Sequence, residues 1–367
     1  MSLFIGLMSG TSIDGIDAVL ADFDQANGPK IIATCEMPWT REEHRTLNAL
    51  CTPGADEIHR SGLATNLYAD KAATLVNKML AASPYKAYEI EAIASHGQTI
   101  RHEPNNGFSV QIGNHARLAA LTGIDVICDF RSMDLACGGQ GAPLVPAFHS
   151  EICSHPTQTR YIVNIGGIAN VTALIPGHHV FGFDTGPGNT LMDFLAERLL
   201  NQSCDANGDT AARGEIKESI VNFYLEEPYF KLQPPKSTGR ELFNQGFLNR
   251  CQRFTFLSPE DKLATITELT AISIIRGIKS IGVPGDIYVC GGGLHNSYLM
   301  SRLKHHAELC SLGQVRSIAA LGIDPDFLEA LAFAWLGYKF KRREALDMSW
   351  VTGAKRKAVL GCLYPHP

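Results

Sequence analysis

Three short stretches of this 367-residue chain place glycine turns directly after apolar runs: "MSGTS" (8–12), "NIGGIAN" (164–170) and "CGGGLHN" (290–296). Glycine after a strand lets the backbone approach a ligand and point its N–H groups inward, which suits an anion such as phosphate. Each turn alone is explained as well by the steric needs of a tight turn. Three together, each with polar companions (Ser9, Thr11 and Ser12; Asn164 and Asn170; His295 and Asn296), point to a phosphate cradle. The chain has no G-x-x-x-x-G-K-[ST] and no complete G-x-G-x-x-G, so the cradle is built without a P-loop or a Rossmann turn.

Carboxylates are the second candidates. In "VFGFDTGPGNTLMDFL" (180–195) a strand delivers Asp184 into a glycine–proline turn, and a helix starts near Asn189. Neighbouring N–H groups would hold such a carboxylate ionised and ready for catalysis. The plainer alternative is an aspartate that satisfies turn amides. Asp-Thr-Gly is also the aspartic-protease signature, but that chemistry needs two carboxylates sharing a proton, and one D-T-G occurs here. Glu329 is the only charged residue of "FLEALAFAWLG" (327–337). It is either a buried carboxylate with a task or a half-exposed one in the first helical turn. "SHGQTIRHEP" (95–104) gathers His96, Gln98, Arg101 and His102, and "DFRSMD" (129–134) adds Asp129, Arg131 and Asp134. Planar donors and acceptors at strand ends suit sugar hydroxyls or a carboxylate.

The elements that position these groups alternate between strand and helix patterns, which predicts an α/β architecture. Strands are expected at 3–8, 16–23, 125–129 and 286–290 and within 89–100, where the strand ends in a polar loop that carries His96, Gln98, Arg101 and His102; helices are expected over 56–82, 188–202, 261–281 and 326–346. The segment 160–176 repeats the opening shape of apolar run, small-residue turn and alternating run, an internal duplication of pattern rather than identity. The glycine- and proline-rich stretch 130–146 is the expected place of a domain change. Length alone favours two domains. A net charge of −5 gives no basic surface for nucleic acid, and no run approaches a membrane span. Ten scattered cysteines without a C-x-x-C pair and without an export signal read as reduced thiols, so a cytoplasmic location is expected and a zinc site is not.

"GLMSGTSIDGID" (6–17) joined to "FDTGPGN" (183–189) resembles the anhydro-N-acetylmuramic acid kinase family of the acetate- and sugar-kinase, Hsp70 and actin superfamily. "NIGGIANVT", "VCGGGLHN", "EALAFAWLG" and "VTGAKRKAVLG" (351–361) extend the likeness over residues 3–364. The resemblance implies two ribonuclease-H-like (actin-like ATPase) domains with an interdomain nucleotide cleft. Residues 1–130 with roughly 350–367 would form one domain and 131–349 the other. It implies ATP and Mg²⁺ as cofactors and a small amino sugar as partner, with a homodimer left open.

In that frame Gly10, Thr11, Ser12, Ile13, Asp14, Gly15, Ile16 and Asp17 resemble a first phosphate motif. Asn164, Gly166 and Gly167 resemble a second, and Gly291, Gly292, Gly293 and Asn296 an adenosine-side motif. The superfamily's first loop usually carries an acidic residue near where Met8 stands, so no metal ligand is assigned. The implied reaction opens a 1,6-anhydro ring and phosphorylates O6. Asp184 would activate the water as general base and Glu329 would help to position it. His96, Gln98 and Arg131 would hold the sugar and its lactyl carboxylate. The alternatives are an ordinary sugar kinase without ring opening and a nucleotide-switched ATPase.

Overall fold

A computed structural model describes residues 1–25, 28–234 and 236–367. The chain divides into two compact units, Met1–Phe148 with Phe327–Pro367 and His149–Asp326.

The first unit is built on β1 (Leu3–Ser9), β2 (Gly15–Asp22), β3 (Lys30–Pro38), β4 (Ala92–Glu103), β5 (Phe108–Ile112) and β6 (Val126–Cys128). The helices α1 (Arg41–Asn48), α2 (Glu57–Ala81), α3 (His115–Thr122) and α4 (Ser132–Ala136) join them, and α5 (Val145–Ile152) ends the unit's opening segment. The chain returns after residue 326 with α12 (Leu328–Lys341) and β12 (Cys362–Tyr364). Strand order is β12-β6-β4-β1-β2-β3, with β5 paired to β4. β1 runs antiparallel to β2 and parallel to β4.

β1 reads as a continuous apolar run because both of its faces are covered. Leu3, Ile5 and Leu7 enter the core with α2 and α3, whereas the alternate Phe4 packs edge-on against Tyr338 of α12. Gly6 is required at this second contact: a Cβ there would lie 1.9 Å from the Ala330 carbonyl oxygen. Gly337, further along α12, lets the helix settle on Ala94 of β4.

The second unit contains β7 (Arg160–Ile165), β8 (Ile168–Leu174), β9 (Phe181–Pro187), β10 (Asp286–Cys290) and β11 (Val315–Ser317). Its helices are α6 (Thr190–Leu200), α7 (Glu218–Leu225), α8 (Gln245–Asn249), α9 (Gln252–Thr255), α10 (Pro259–Ser280) and α11 (Ser297–Leu309). Strand order is β11-β10-β7-β8-β9. α10 starts where sequence rules place a helix, with Ser258 accepting the Asp261 N–H, Pro259 first and two acids in the opening turn. Its apolar side, Leu263 to Ile278, packs in the core against β8 and β9, with Gly277 set on Phe183 and Thr185.

The two sheets repeat one topology. In each, three antiparallel strands lead off (β1-β2-β3; β7-β8-β9), and two strands then add in parallel beside the first (β4 and β6; β10 and β11). This is the ribonuclease-H-like plan, and it gives the duplicated sequence pattern its structural meaning.

The unit boundaries differ from those expected near residues 130 and 350. Segment 131–141 belongs to the first unit because it is tied to the chain's closing segment. Asp134 accepts from Thr352 Oγ1 at 2.7 Å, Gln140 N–H donates to the Thr352 carbonyl, and Lys355 N–H donates to that of Cys137. α12 belongs there too, because an almost wholly apolar helix needs a sheet to cover it. Among the described residues no helix is long and apolar enough to cross a membrane.

Candidate active site

In the first unit the loop between β1 and β2 is held from behind. Opposite Leu7 and Ser9 of β1 stand Ser95 and Gln98 of β4, so two steps of one strand face three of the other. The bulge includes Gly97 at φ +77°. It turns Gln98 onto the loop, fully buried, with Oε1 2.6 Å from Ser9 Oγ and Nε2 donating to the Gly10 carbonyl at 2.9 Å. Ser9 Oγ also donates to the Gly15 carbonyl at 2.8 Å, drawing the two ends of the loop together.

Within the loop Ile13 takes φ +57° although it is β-branched, and its side chain is buried. Such a backbone persists only where surroundings impose it, and it clusters at functional sites. Thr11, Ser12 and Asp14 are consequently exposed, whereas Ile13 and Ile16 are buried and can offer a ligand only their backbone. Asp17 stands directly across β2 from Met8, on the same face of the sheet.

His96 and Gln98 are not in a loop but within β4, and their side chains are spent on the protein itself. His96 Nδ1 faces the Ser9 carbonyl at 3.2 Å, and Nε2 lies 2.8 Å from Arg131 Nη2. Since arginine can only donate, Nε2 accepts and the proton sits on Nδ1. Burial, then the charge of Arg131, pushes this imidazole down to about 3, so it is neutral. Arg131 also donates to the Gly141 carbonyl at 2.7 Å. Burial lowers it to about 10 against the opposing charges of Glu329 and Asp134. His96 and Gln98 brace the loop, and Arg131 alone of the three residues expected at the sugar keeps a buried donor, Nε, without a partner. Glu329 occupies the first turn of α12, partly exposed, as the second of its two readings anticipated.

In the second unit the turn Gly166–Gly167 does something the sequence did not suggest. Its carbonyls accept the N–H groups of Gly188, Asn189 and Thr190 at 2.9, 2.8 and 3.1 Å. The amides of Gly188, Asn189 and Thr190 at the entry to α6 are thereby directed to the glycine turn and not to the Asp184 carboxylate. Asp184 lies in β9, opposite Asn170 of β8. Its carboxylate accepts the Thr238 N–H at 3.0 Å. Its backbone N–H donates to the Lys236 carbonyl, and its carbonyl accepts the Tyr229 hydroxyl at 2.6 Å. Burial pushes the carboxyl up to about 6; the Thr238 bond opposes the shift and the charge of Glu241 reinforces it. The expected strongly ionised carboxylate is corrected to a poised one.

The third turn packs against the second. At Gly291 (φ +78°) a Cβ would strike Asn164 Oδ1 at 2.2 Å, and at Gly293 it would strike Ile165 Cγ2 at 2.3 Å. Asn296 caps α11, its Oδ1 accepting the Leu299 N–H at 2.9 Å. Segment 229–241, with Tyr229, Lys236, Thr238, Arg240 and Glu241, was missed from the sequence. Its one signal is "KSTGRE" (236–241), two cations about a glycine turn in an otherwise unpatterned stretch. Among the described residues no group of three or more His, Cys, Asp or Glu side chains is arranged to hold a metal ion.

A profile of the family described as anhydro-N-acetylmuramic acid kinase matches residues 2–366. The anhydro-N-acetylmuramic acid kinase of Shewanella amazonensis is 46% identical over 369 residues, spanning 99% of this chain and 99% of that protein. That of Burkholderia orbicola is 44% identical, spanning 99% and 96%. Among solved structures, component A of (R)-2-hydroxyglutaryl-CoA dehydratase from Acidaminococcus fermentans aligns over 92% of this chain and 98% of its own. The TM-score is 0.48 and the identity 12%.

Proposed function

We infer the activity from one premise: this chain belongs to the anhydro-N-acetylmuramic acid kinase family. It is a phosphotransferase acting on a small amino sugar. In our reading ATP is the phosphoryl donor and the sugar's 1,6-anhydro bridge is opened by water. The oxygen freed at O6 takes the γ-phosphoryl group, giving N-acetylmuramic acid 6-phosphate.

The observation that carries this reading is the Asp184 carboxyl, half-buried in β9, held by the Thr238 N–H at 3.0 Å and pushed up to about 6. At neutral pH it is mostly ionised yet basic enough to take a proton, the condition a general base must meet. Asp184 removes a proton from water as the water oxygen bonds to the anomeric carbon. The C1–O6 bond breaks in that step and its electron pair passes to O6. O6 then bonds to the γ-phosphorus, and the bond to the bridging oxygen of ATP breaks, releasing ADP. Thr238, Tyr229 and the Lys236 carbonyl fix the base in place, so little reorganisation accompanies the proton transfer.

The first loop supplies exposed hydroxyls at Thr11 and Ser12 and the Gly10 amide for phosphate oxygens, and Gly166 and Gly167 supply the second phosphate turn. Mg²⁺ usually keeps several waters and binds largely through substrate phosphates, so it would arrive on the phosphates of the nucleotide. Bound there, it would offset charge on the transferred group.

Turnover in ¹⁸O-labelled water tests the reading. The label should enter the anomeric hydroxyl and not the phosphate ester. Label in inorganic phosphate with the anhydro ring intact would mean a plain ATPase, and an ordinary sugar kinase would leave the label out of both products.

A further inference from the structure

Arg240 sits in the segment that holds Asp184, two residues after Thr238, and its guanidinium lies over the second glycine turn. A Cβ on Gly167 would meet Arg240 Nη2 at 3.7 Å and Nε at 4.0 Å. The side chain is exposed, and among the described residues it makes no hydrogen bond or ion pair. Its carbonyl oxygen accepts from Asn244 Nδ2 at 3.0 Å. Asp193, in the first turn of α6, is the acid that feels it. Burial pushes that carboxyl up to about 6, and the charge of Arg240 opposes the shift without forming a pair.

A guanidinium is a planar fork of donors matched to carboxylate and phosphate oxygens. Here the fork is unspent, the residue beneath it has no side chain, and its backbone is anchored through Thr238 to the Asp184 carboxylate. We infer that Arg240 binds an oxyanion of the reactants over the Gly166–Gly167 turn, from the nucleotide's phosphoryl groups or the sugar's lactyl carboxylate. This rests on the kinase reading above.

Arg240→Ala and Arg240→Lys, assayed with the parent, test it. Hydrogen bonds to a charged group are worth about 1.5–3 kcal/mol, so Arg240→Ala should lose roughly 10- to 100-fold in kcat/KM. Arg240→Lys, which keeps the charge and loses the fork, should fall between. Two sugars separate the sources: the anhydro sugar with its lactyl carboxylate and the 1,6-anhydro amino sugar without it. A loss common to both, with weaker calorimetric binding of a non-hydrolysable ATP analogue, assigns the phosphoryl group. A loss confined to the lactyl-bearing sugar, with analogue binding unchanged, assigns the carboxylate. Because the side chain is exposed, melting temperature should stay at the parent value. Arg240→Ala within twofold of the parent on both sugars, with unchanged analogue binding, would overturn the inference. Failure of the kinase reading shows separately, as a parent protein that transfers no phosphate to either sugar.

Discussion

Replacing Asp184 by asparagine separates catalysis from stability, and the structure sets the direction of each. Asparagine keeps an oxygen to accept the Thr238 N–H and the same bulk in β9, but it cannot take a proton. General-base catalysis contributes about 10²–10⁴-fold, so kcat should fall by that order while nucleotide affinity stays near the parent value. Stability should move the other way. The carboxyl rises from 3.8 to about 6 on folding, so between those values the folded chain binds the extra proton and stability falls as pH rises. Above about pH 6 the ionised group costs the fold about 3 kcal/mol at most, from a shift of roughly two pKa units. Asparagine removes that cost, so Asp184→Asn should melt a few degrees higher at pH 7.5. At pH 4, where the parent carboxyl is protonated, the two should converge. The measurements are product formation by mass spectrometry, calorimetric binding of an ATP analogue, and thermal melts at the two pH values. An active variant that melts lower than the parent at pH 7.5 would refute the reasoning, because it would make Asp184 a turn-stabilising acid.

Gly6→Ala should cost at least about 1–3 kcal/mol by urea unfolding, because the new methyl has only the Ala330 and Ala334 backbone to displace. Gln98→Ala should cost about 1–3 kcal/mol and raise the KM for ATP, since it leaves the Gly10 carbonyl and Ser9 without their buried partner; an unchanged KM would detach Gln98 from the loop's function. Burial holds His96 and His149 at about 3 and His115 at about 4, against 6.5 unfolded. The unfolded chain therefore binds more protons below pH 6.5, and stability these groups contribute above that pH is lost as pH falls toward 4. Their ring carbon-bound proton resonances should not shift between pH 5 and 8, and a mid-range titration of any one would contradict its burial.

What was legible in the sequence was whatever a local pattern encodes. The apolar runs of β1 and β7, the glycine turns after them, and the caps of α10 all report on neighbours within a few residues. Asp184 was legible as a carboxylate on a strand, but its environment was not. Thr238 and Tyr229 reach it from 54 and 45 positions away, and their segment carries no periodicity to announce it. His96 and Gln98 were read as loop because they are polar. A bulge turns them toward Ser9, and hydrogen bonds inside the protein compensate their burial. The domain limits were misplaced for a similar reason. A glycine-rich stretch marks where a chain can bend, whereas the side chains of Asp134 and Thr352 decide to which unit it belongs.

The division of the chain has a consequence for its synthesis. His149–Asp326 is one uninterrupted segment, whereas the other unit is made of the first 148 residues and the last 41. A nascent chain emerges from its N-terminus, and domains usually fold in that order. Here the opening segment leaves the ribosome without α12, so Gly6, Phe4 and Ala94 have no helix to cover them. That apolar face waits while the whole of the second unit is translated. The unit that starts later is the first that can be completed, and the one that starts first stays open to chaperones or to aggregation until α12 arrives.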